Sequence, residues 1–579
     1  MELKRYLGWT TVVLKIIFST TIAILLAVAL TLYTVSRKEM PPVSQVFTNG
    51  NIITMDSDNS VVQAIALQND KIIAAGSNED IQEYISKDTL VHNLQGKTLM
   101  PGIVDAHSHF PGVGMFVATA DLSSPPVGSI SNIAELQARL RERLQGKSAG
   151  KWLTGLGYDD TLLTEHRHPT KEELDAVSTE HPIFITHVSG HVGVANSLAL
   201  EIAGYDHSTP DPEGGHIVRD DKGELTGLLE ETAAAPLTLK MLDISPMQVY
   251  EMIREAAQIY AAAGVTTAQS GGLDGSMLKG LYYGSELGLI PQRLELWSSL
   301  LIGEELISGE FNLDDYNNDY VHSRTVKIIA DGSIQGFTSF LSHPYHTPFR
   351  GDKNHQGYPT MSREKLTQWV SRLHKAGFQL AIHGNGDAAI DDIIYAFEQA
   401  QQRHPNDDPR LILIHSQMAR EDQLEDMKRL GISPSFFSAH TYYWGDRHRD
   451  IFMGPERAQR MSPAFSAQQK GLRFSVHLDS PVVPMDPMLL VWSTVNRISS
   501  SGKVIGAEQR IDTMSALRAV TIDAAWQIFQ EHRIGSLEPG KLADLIVLDA
   551  DPLQDPLSIK DIKVVQTYVG GVKIFDRHQ

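Results

Sequence analysis

Residues 100–109 read MPGIVDAHSH. A Pro-Gly turn launches a short apolar run, and the run ends on two histidines placed two positions apart. In extended backbone such residues face the same side, so His107 and His109 can aim both imidazoles at one point. This is metal-ligand spacing on a strand. A chain with 23 histidines will also produce such pairs by chance, so the weight of the motif depends on its surroundings.

Working outward, compact apolar runs recur at 102–107 (GIVDAH), 264–269 (GVTTAQ), 293–299 (RLELWSS), 325–331 (VKIIAD preceded by Thr325), 378–383 (FQLAIH), 411–415 (LILIH), 432–437 (ISPSFF) and 473–479 (RFSVHLD). Amphipathic segments such as SREKLTQWVSRLHKAG and REDQLEDMKRLG separate the later ones. Alternation of this kind predicts an α/β fold, a (β/α)8 TIM-type barrel, over 101–504. Residues from about 115 to 245 exceed one βα unit and contain a further candidate strand, IFITHV. We read them as an insertion after the first barrel strand; the competing reading makes 183–188 a barrel strand in place of one of the eight. At 43–100, short β-type runs alternate with Asn-Gly and Asn-Asp turn signals, and similar runs return in ADLIVLDADP and VVQTYVGGVKIF. Segments 43–100 and 505–579 are therefore expected to build one small β-sandwich domain.

Composition narrows the function. Of 579 residues, 42% are hydrophobic and 21% charged, which implies a globular chain with a large core. The formal charge of −20 disfavours nucleic acid as a partner. The absence of cysteine excludes disulfides, thiolate metal sites and a Cys nucleophile, so any metal must sit on His, Asp, Glu or a modified Lys. Residues 16–35 (IIFSTTIAILLAVALTLYTV) carry no charge; as a helix they would reach about 30 Å, the thickness of a hydrocarbon core. Residues 1–38 are thus expected to be a transmembrane anchor or a signal segment. Lys4, Arg5 and Lys15 precede the apolar run and Arg37 and Lys38 follow it, a balance that favours a cytoplasmic N-terminus with the bulk of the chain outside the cytoplasm. Export after cleavage near Ala27-Val28-Ala29 is the alternative.

Four further candidate ligands lie at or near the C-terminal ends of predicted strands, the barrel face on which active sites are built. His383 ends FQLAIH, His415 ends LILIH, Asp479 ends RFSVHLD, and Lys327 lies within VKIIAD. A single strand-end histidine is usually a satisfied core residue. Recurrence on one face points instead to a shared centre. Ser108 and Ser480 lie outside any G-x-S-x-G elbow, and Gly384-Asn385-Gly386-Asp387 lacks the features of a phosphate loop.

Together with SGHVGVANSLAL (189–200), EGGHIVRDDKGELTGLLEE (213–231), AIHGNGDAAID (381–391) and GSLEPGKLADLIVLD (535–549), these motifs resemble the metal-dependent amidohydrolase superfamily, in the branch typified by N-substituted formamide deformylase. The resemblance runs from about residue 44 to the C-terminus. It implies that His107 and His109 bind one divalent metal, that His383 and His415 bind a second, and that Lys327 bridges them as a CO2-derived carbamate, with Glu230 or Glu231 as the fallback bridge. It also implies that Asp479 touches the first metal and acts as general base, and that His191 lies near the substrate.

The implied cofactor is one or two divalent ions per chain, zinc by type, which would activate water toward hydroxide and polarise a carbonyl. The implied reaction is hydrolysis of a non-peptide carbon–nitrogen bond in a small-molecule substrate. Alternatives are an esterase, a lactamase, or a metal-containing binding protein without turnover.

Overall fold

The computed structural model describes residues 44–238, 240 and 244–578. The apolar segment 16–35 lies outside them. Among the described residues, no helix is long and apolar enough to cross a membrane.

Eight parallel strands form the central sheet: β1 (Ile103–Val104), β2 (Val265–Leu273), β3 (Arg293–Ser299), β4 (Val321–Ile329), β5 (Gln379–Gly384), β6 (Leu411–His415), β7 (Ile432–Phe436) and β8 (Ser475–Val476). They pair in sequence order from β1 to β8. All eight predicted runs supply one strand each. Beyond the short end strands, Asp479 N donates to His107 O at 3.1 Å and His109 N donates to Ser480 O at 2.8 Å. These two bonds bring the chain after β8 against the chain after β1 and curl the sheet into a (β/α)8 barrel.

The period-2 alternation of strands decides what fills the barrel. Leu294, Leu296, Val326, Ile328, Leu380, Ile382, Leu411 and Leu413 face outward into the main core, under the helices. Trp297, Ala381, Ile412 and Ile414 face inward, with Val104 and Ala106. Helices α1 (Pro246–Ala262), α2 (Gly275–Glu286), α3 (Arg363–Lys375), α4 (Asp387–Arg403) and α5 (Glu421–Leu430) precede or follow the strands. Their starts are encoded locally: Ser245 caps α1 in a reciprocal box with Gln248, Asp274 caps α2 and Ser362 caps α3. Segment 505–544, grouped with the β domain on sequence grounds, instead contributes α6 (Ile522–Gln527). Its Ala524 and Ala525, with Ile528, join the inward-facing barrel cluster.

The insertion forms its own six-stranded sheet, in the order 215–219, 225–231, 192–195, 183–187, 153–158, 120–121. Ile183–His187 pairs with Leu153–Tyr158 and Val192–Ala195, so it is an insertion strand and the competing barrel assignment fails. The two chain ends meet as expected. Thr98–Pro101 pairs antiparallel with Leu545–Leu548 within a six-stranded sheet, and a four-stranded sheet of 44–48, 64–68, 71–76 and 90–93 shares a core with it through Phe47, Ile65, Leu67, Leu99, Leu545 and Val547.

Arg293, at the start of β3, joins barrel to chain-end sheet. Its Nε and Nη2 donate to the two oxygens of Asp544 at 2.7 and 3.1 Å, both side chains being nearly fully buried. Arg293→Ala would leave Asp544 as an uncompensated buried anion, so we expect a loss of about 3–5 kcal/mol in denaturant unfolding, and a far smaller loss for Arg372→Ala at the exposed Arg372–Glu304 pair.

Candidate metal centre

The backbone after β1 is not regular strand, yet it is pinned. Asp105 N donates to Thr267 O, Gly271 N to Ser108 O and Phe110 N to Gln269 O. The His107 ring lies parallel to Trp297 at 5.4 Å, and a Cβ on Gly271 would sit 2.8 Å from its Cε1. Only glycine leaves the ring its place there. His415 reaches the centre by a different route. It would continue the outward register of Leu411 and Leu413, but φ of +70° at His415 and +47° at Ser416 turns the ring to the barrel mouth.

Asp479 is the hub. Its Oδ1 lies 3.3 Å from both His107 Nε2 and His109 Nε2, and its Oδ2 lies 3.9 Å from His415 Nε2. The His383 ring is 4.5 Å from that of His415 and 5.1 Å from that of His191. Lys327 Nζ lies 3.0 Å from His107 Nε2. All seven sequence-derived candidates therefore gather at one end of the barrel.

The partner of each Nδ1 orients the ligand nitrogens. His107 Nδ1 donates to Gln269 Oε1 at 3.0 Å, His109 Nδ1 to Gly271 O at 3.0 Å, and His383 Nδ1 to Asp331 Oδ1 at 3.1 Å. Each of these rings then turns a lone pair on Nε2 inward. Burial pushes His107 and His415 well below the usual histidine range. For His107 the Lys327 charge adds to that, and Asp479 only partly offsets it. Burial also lowers His383. Asp479 is held well below the usual carboxylate range: burial alone would raise it, but the imidazoles of His109, His107 and His415 outweigh that. Its Oδ1 has no hydrogen-bond partner among the described residues.

Two imidazole nitrogens and a carboxylate oxygen thus lie within 4.8 Å of one another. Three acceptors so close require protons or a cation between them, and neutral imidazoles beside an ionised carboxylate are a donor set suited to a divalent ion. His107, His109 and Asp479 would hold it, with His383 and His415 beside them.

Lys327 is buried and its ammonium is pushed down to about 8 by burial, which the Asp479 charge opposes. The ordinary alternative for this lysine, an ion pair with Asp331, is absent: Asp331 accepts from His383, Asn385 N, Gly386 N, Ser339 Oγ and Phe340 N. Glu230 is unavailable as a bridge because Arg350 and Tyr358 hold it. Glu231 is committed to His191, whose Nδ1 lies 2.8 Å from its Oε2. Burial pushes His191 down, but Glu231 outweighs this and the net shift is upward.

Gln269, Asp331 and His477 carry orienting roles that the motifs alone did not assign. Gln269 ends the run GVTTAQ and His477 shares a strand face with Asp479, signals that were present in the sequence. His440 gave none: it is buried against Phe437, with ring centroids 4.0 Å apart, and neither ring nitrogen has a partner among the described residues. Ser108 and Ser480 are structural, bonded to Tyr260 and to Val483 O respectively. Asp159, Asp160 and His187 form a second His/Asp group in the insertion, but Arg447, Trp444 and Thr161 already take up the carboxylate of Asp159.

A family model described as "Amidohydrolase family" matches residues 90–575. N-substituted formamide deformylase of Arthrobacter pascens is 28% identical over 546 residues, covering 91% of this chain and 98% of its own. The putative amidohydrolase YtcJ of Bacillus subtilis is 28% identical, covering 92% and 99%. A solved structure titled as an uncharacterized metal-dependent hydrolase from Pyrococcus horikoshii OT3 superposes with a TM-score of 0.70 at 26% identity, covering 89% of this chain and 99% of that one. With a barrel whose mouth gathers four histidines, a lysine and an aspartate, and a match spanning most of its length, this chain belongs to the amidohydrolase family.

Proposed function

We propose that this hydrolase cleaves a non-peptide carbon–nitrogen bond, in an N-substituted amide or formamide, at a divalent-metal centre built by His107, His109, His383, His415 and Asp479. One observation carries the reading: a single buried carboxylate, Asp479, faces histidines of both halves of the centre. The similarity to a formamide deformylase supports the bond type.

A divalent ion held there would supply Lewis acidity toward the substrate carbonyl and toward water. The protein's own groups do the rest. Asp479, kept ionised, accepts the proton of the attacking water and returns it to the departing nitrogen. His191, anchored on Glu231, whose charge favours its protonated form, and facing His383, donates a hydrogen bond to the carbonyl oxygen as negative charge develops on it. The neutral amine of Lys327 would add CO2 and release a proton to give a carbamate, which would supply a further anionic ligand beside His107.

The experiment is metal analysis of the purified full-length protein coupled to a screen of amides, formamides, lactams and esters. About two zinc-type ions per chain with turnover confined to amides or formamides is expected. Turnover of esters or lactams instead would reassign the bond, and a folded protein free of metal would remove the reading altogether.

Carbamate formation needs the neutral amine. As pH rises through about 8 the neutral fraction of Lys327 grows, so a carbamate signal in 13C NMR after labelling with bicarbonate should increase from pH 7 to pH 9. Lys327→Met should lack it. A wild-type spectrum without that signal throughout this range would leave Lys327 uncarboxylated beside His107.

We read residues 16–35 as a membrane anchor that leaves the catalytic part outside the cytoplasm. Support comes from the uncharged run and its basic N-terminal flank. Intact mass of the mature protein separates this from cleavage and export.

A further inference from the structure

A buried polar group that meets no partner is destabilising, and its presence calls for a ligand, an ion or a catalytic role to explain it. Three such side chains stand together just beyond the metal centre. Gln417 follows His415 at the end of β6, while His440 and His448 lie past the end of β7, on the helix His440–Arg447 and on the turn after it. None of the three exposes more than 2% of its surface. Both ring nitrogens of His440, Nδ1 of His448 and Oε1 of Gln417 have no hydrogen-bond partner among the described residues.

Aromatic rings wall the place. His440 stacks on Phe437 at 4.0 Å, and the Phe437 ring is in turn 6.1 Å from that of His415. The cluster therefore sits one ring away from the metal centre. His440 meets Trp444 at 5.2 Å and His448 at 5.7 Å, and Phe452 lies 5.5 Å from His448. The backbone singles out the same spot: the helix passes at His448 into a turn of π-helix, His448–Phe452, in which Met453 N donates to His448 O at 2.8 Å. Such turns are rare and frequently lie at functional sites.

The unspent hydrogen bonds define what fits. Burial pushes both imidazoles down, His440 well below the usual histidine range and His448 to about 3, so both are neutral. A neutral imidazole brings one donor and one acceptor, and His440 spends neither. Gln417 Nε2 and His448 Nε2 lie 3.1 Å apart. If the amide nitrogen donates there, His448 Nδ1 keeps its proton and Gln417 Oε1 stays unspent; with the carboxamide turned over, His448 Nδ1 becomes the unspent acceptor and the amide hydrogens remain. Either way the pair presents at least one donor and one acceptor. The cluster thus offers at least two of each and no charge. A carboxylate would use only the donors and an ammonium only the acceptors, each as an unpaired buried ion. A carboxamide meets both.

We propose that Gln417, His440 and His448 form a substrate subsite for an uncharged hydrogen-bonding group, a carboxamide by this inventory, carried on the N-substituent of the amide or formamide cleaved at the metal centre. The inference deepens the proposed hydrolase reading and rests on it for the identity of the bond.

The test uses the full-length protein as purified. Formate release is measured from N-(ω-carbamoylalkyl)formamides of graded chain length and from the isosteres ending in isopropyl or carboxylate. At the best length, kcat/KM should favour the carboxamide over the isopropyl isostere by about 10- to 100-fold, and over the carboxylate by at least as much. His440→Phe keeps a ring against Phe437 but removes both nitrogens, and should bring the carboxamide preference to within about threefold of unity; a merely structural histidine would slow all three substrates alike. The matching methanesulfonamides, which release no formate, report the subsite by calorimetry independently of turnover. They should show the same order of affinity and the same loss of preference in His440→Phe. Equal kcat/KM for carboxamide and isopropyl substrates, or a preference for the carboxylate, overturns the subsite and leaves the hydrolase reading in place. Formamides that are not cleaved, beside sulfonamides that keep the preference, remove the hydrolase reading and keep the subsite. Should His440→Phe fail to fold, the wild-type comparisons decide, and sulfonamides bound without preference overturn the proposal.

Discussion

Asp479→Asn is expected to lower kcat on the best amide or formamide substrate by about 10⁴-fold, the upper end for loss of a general acid–base, with KM changed by less than about threefold. The physical reason is that the carboxamide keeps the shape of the carboxylate but cannot accept the water's proton and carry it to nitrogen. The side chain is buried, its Oδ1 facing His107 and His109 and its Oδ2 facing His415, so no neighbouring carboxylate can substitute. An effect confined to kcat marks a group that acts in the transition state. Zinc content of the variant must be measured alongside, because Asp479 is also a candidate ligand. Turnover within tenfold of wild type in a metal-replete variant would remove Asp479 from the proton transfers.

Stripping the divalent ion should have an effect of similar size. Lewis acidity at a carbonyl is worth several kcal/mol, so dialysis against a strong chelator should reduce activity by about a thousandfold or more, and restoring zinc should recover it. Without the ion, water can meet the inward-facing nitrogens and Asp479 Oδ1, so the stripped protein should remain folded. The core that holds the barrel, from Leu294 and Leu296 to Leu411 and Leu413, owes nothing to the metal. Full activity after demonstrated metal removal would contradict the proposed chemistry, and cooperative unfolding on removal would mean that the centre also stabilises the fold.

Legibility in the sequence follows the range of the interactions. Apolar runs ending in His383, His415 and Asp479 could be read directly, because strand periodicity and strand-end placement are local properties of the chain. The insertion was visible as excess length, but only pairing showed that Ile183–His187 joins Leu153–Tyr158 and stays out of the barrel. Residues 505–544 read as part of the terminal β domain because no local signal announced that Ala524 and Ala525 would pack inside the barrel. Asp331 could be read as the partner of Lys327, four residues away. Folding gave it to His383, whose strand lies beside that of Lys327, and left the buried lysine amine against His107 Nε2 instead.

The linear chain by itself determined the family of solutions: eight strands, their order, and a set of imidazoles and carboxylates carried at one end of them. Alternation of apolar residues and the chemistry of single side chains suffice for that. What only the tertiary structure decided is which nitrogen each histidine shows to the centre. That choice depends on Gln269, Gly271, Asp331 and His477, groups up to 162 residues distant from the histidines they orient, and a tautomer has no signature in sequence because it is set by whichever acceptor the fold brings to the far side of the ring.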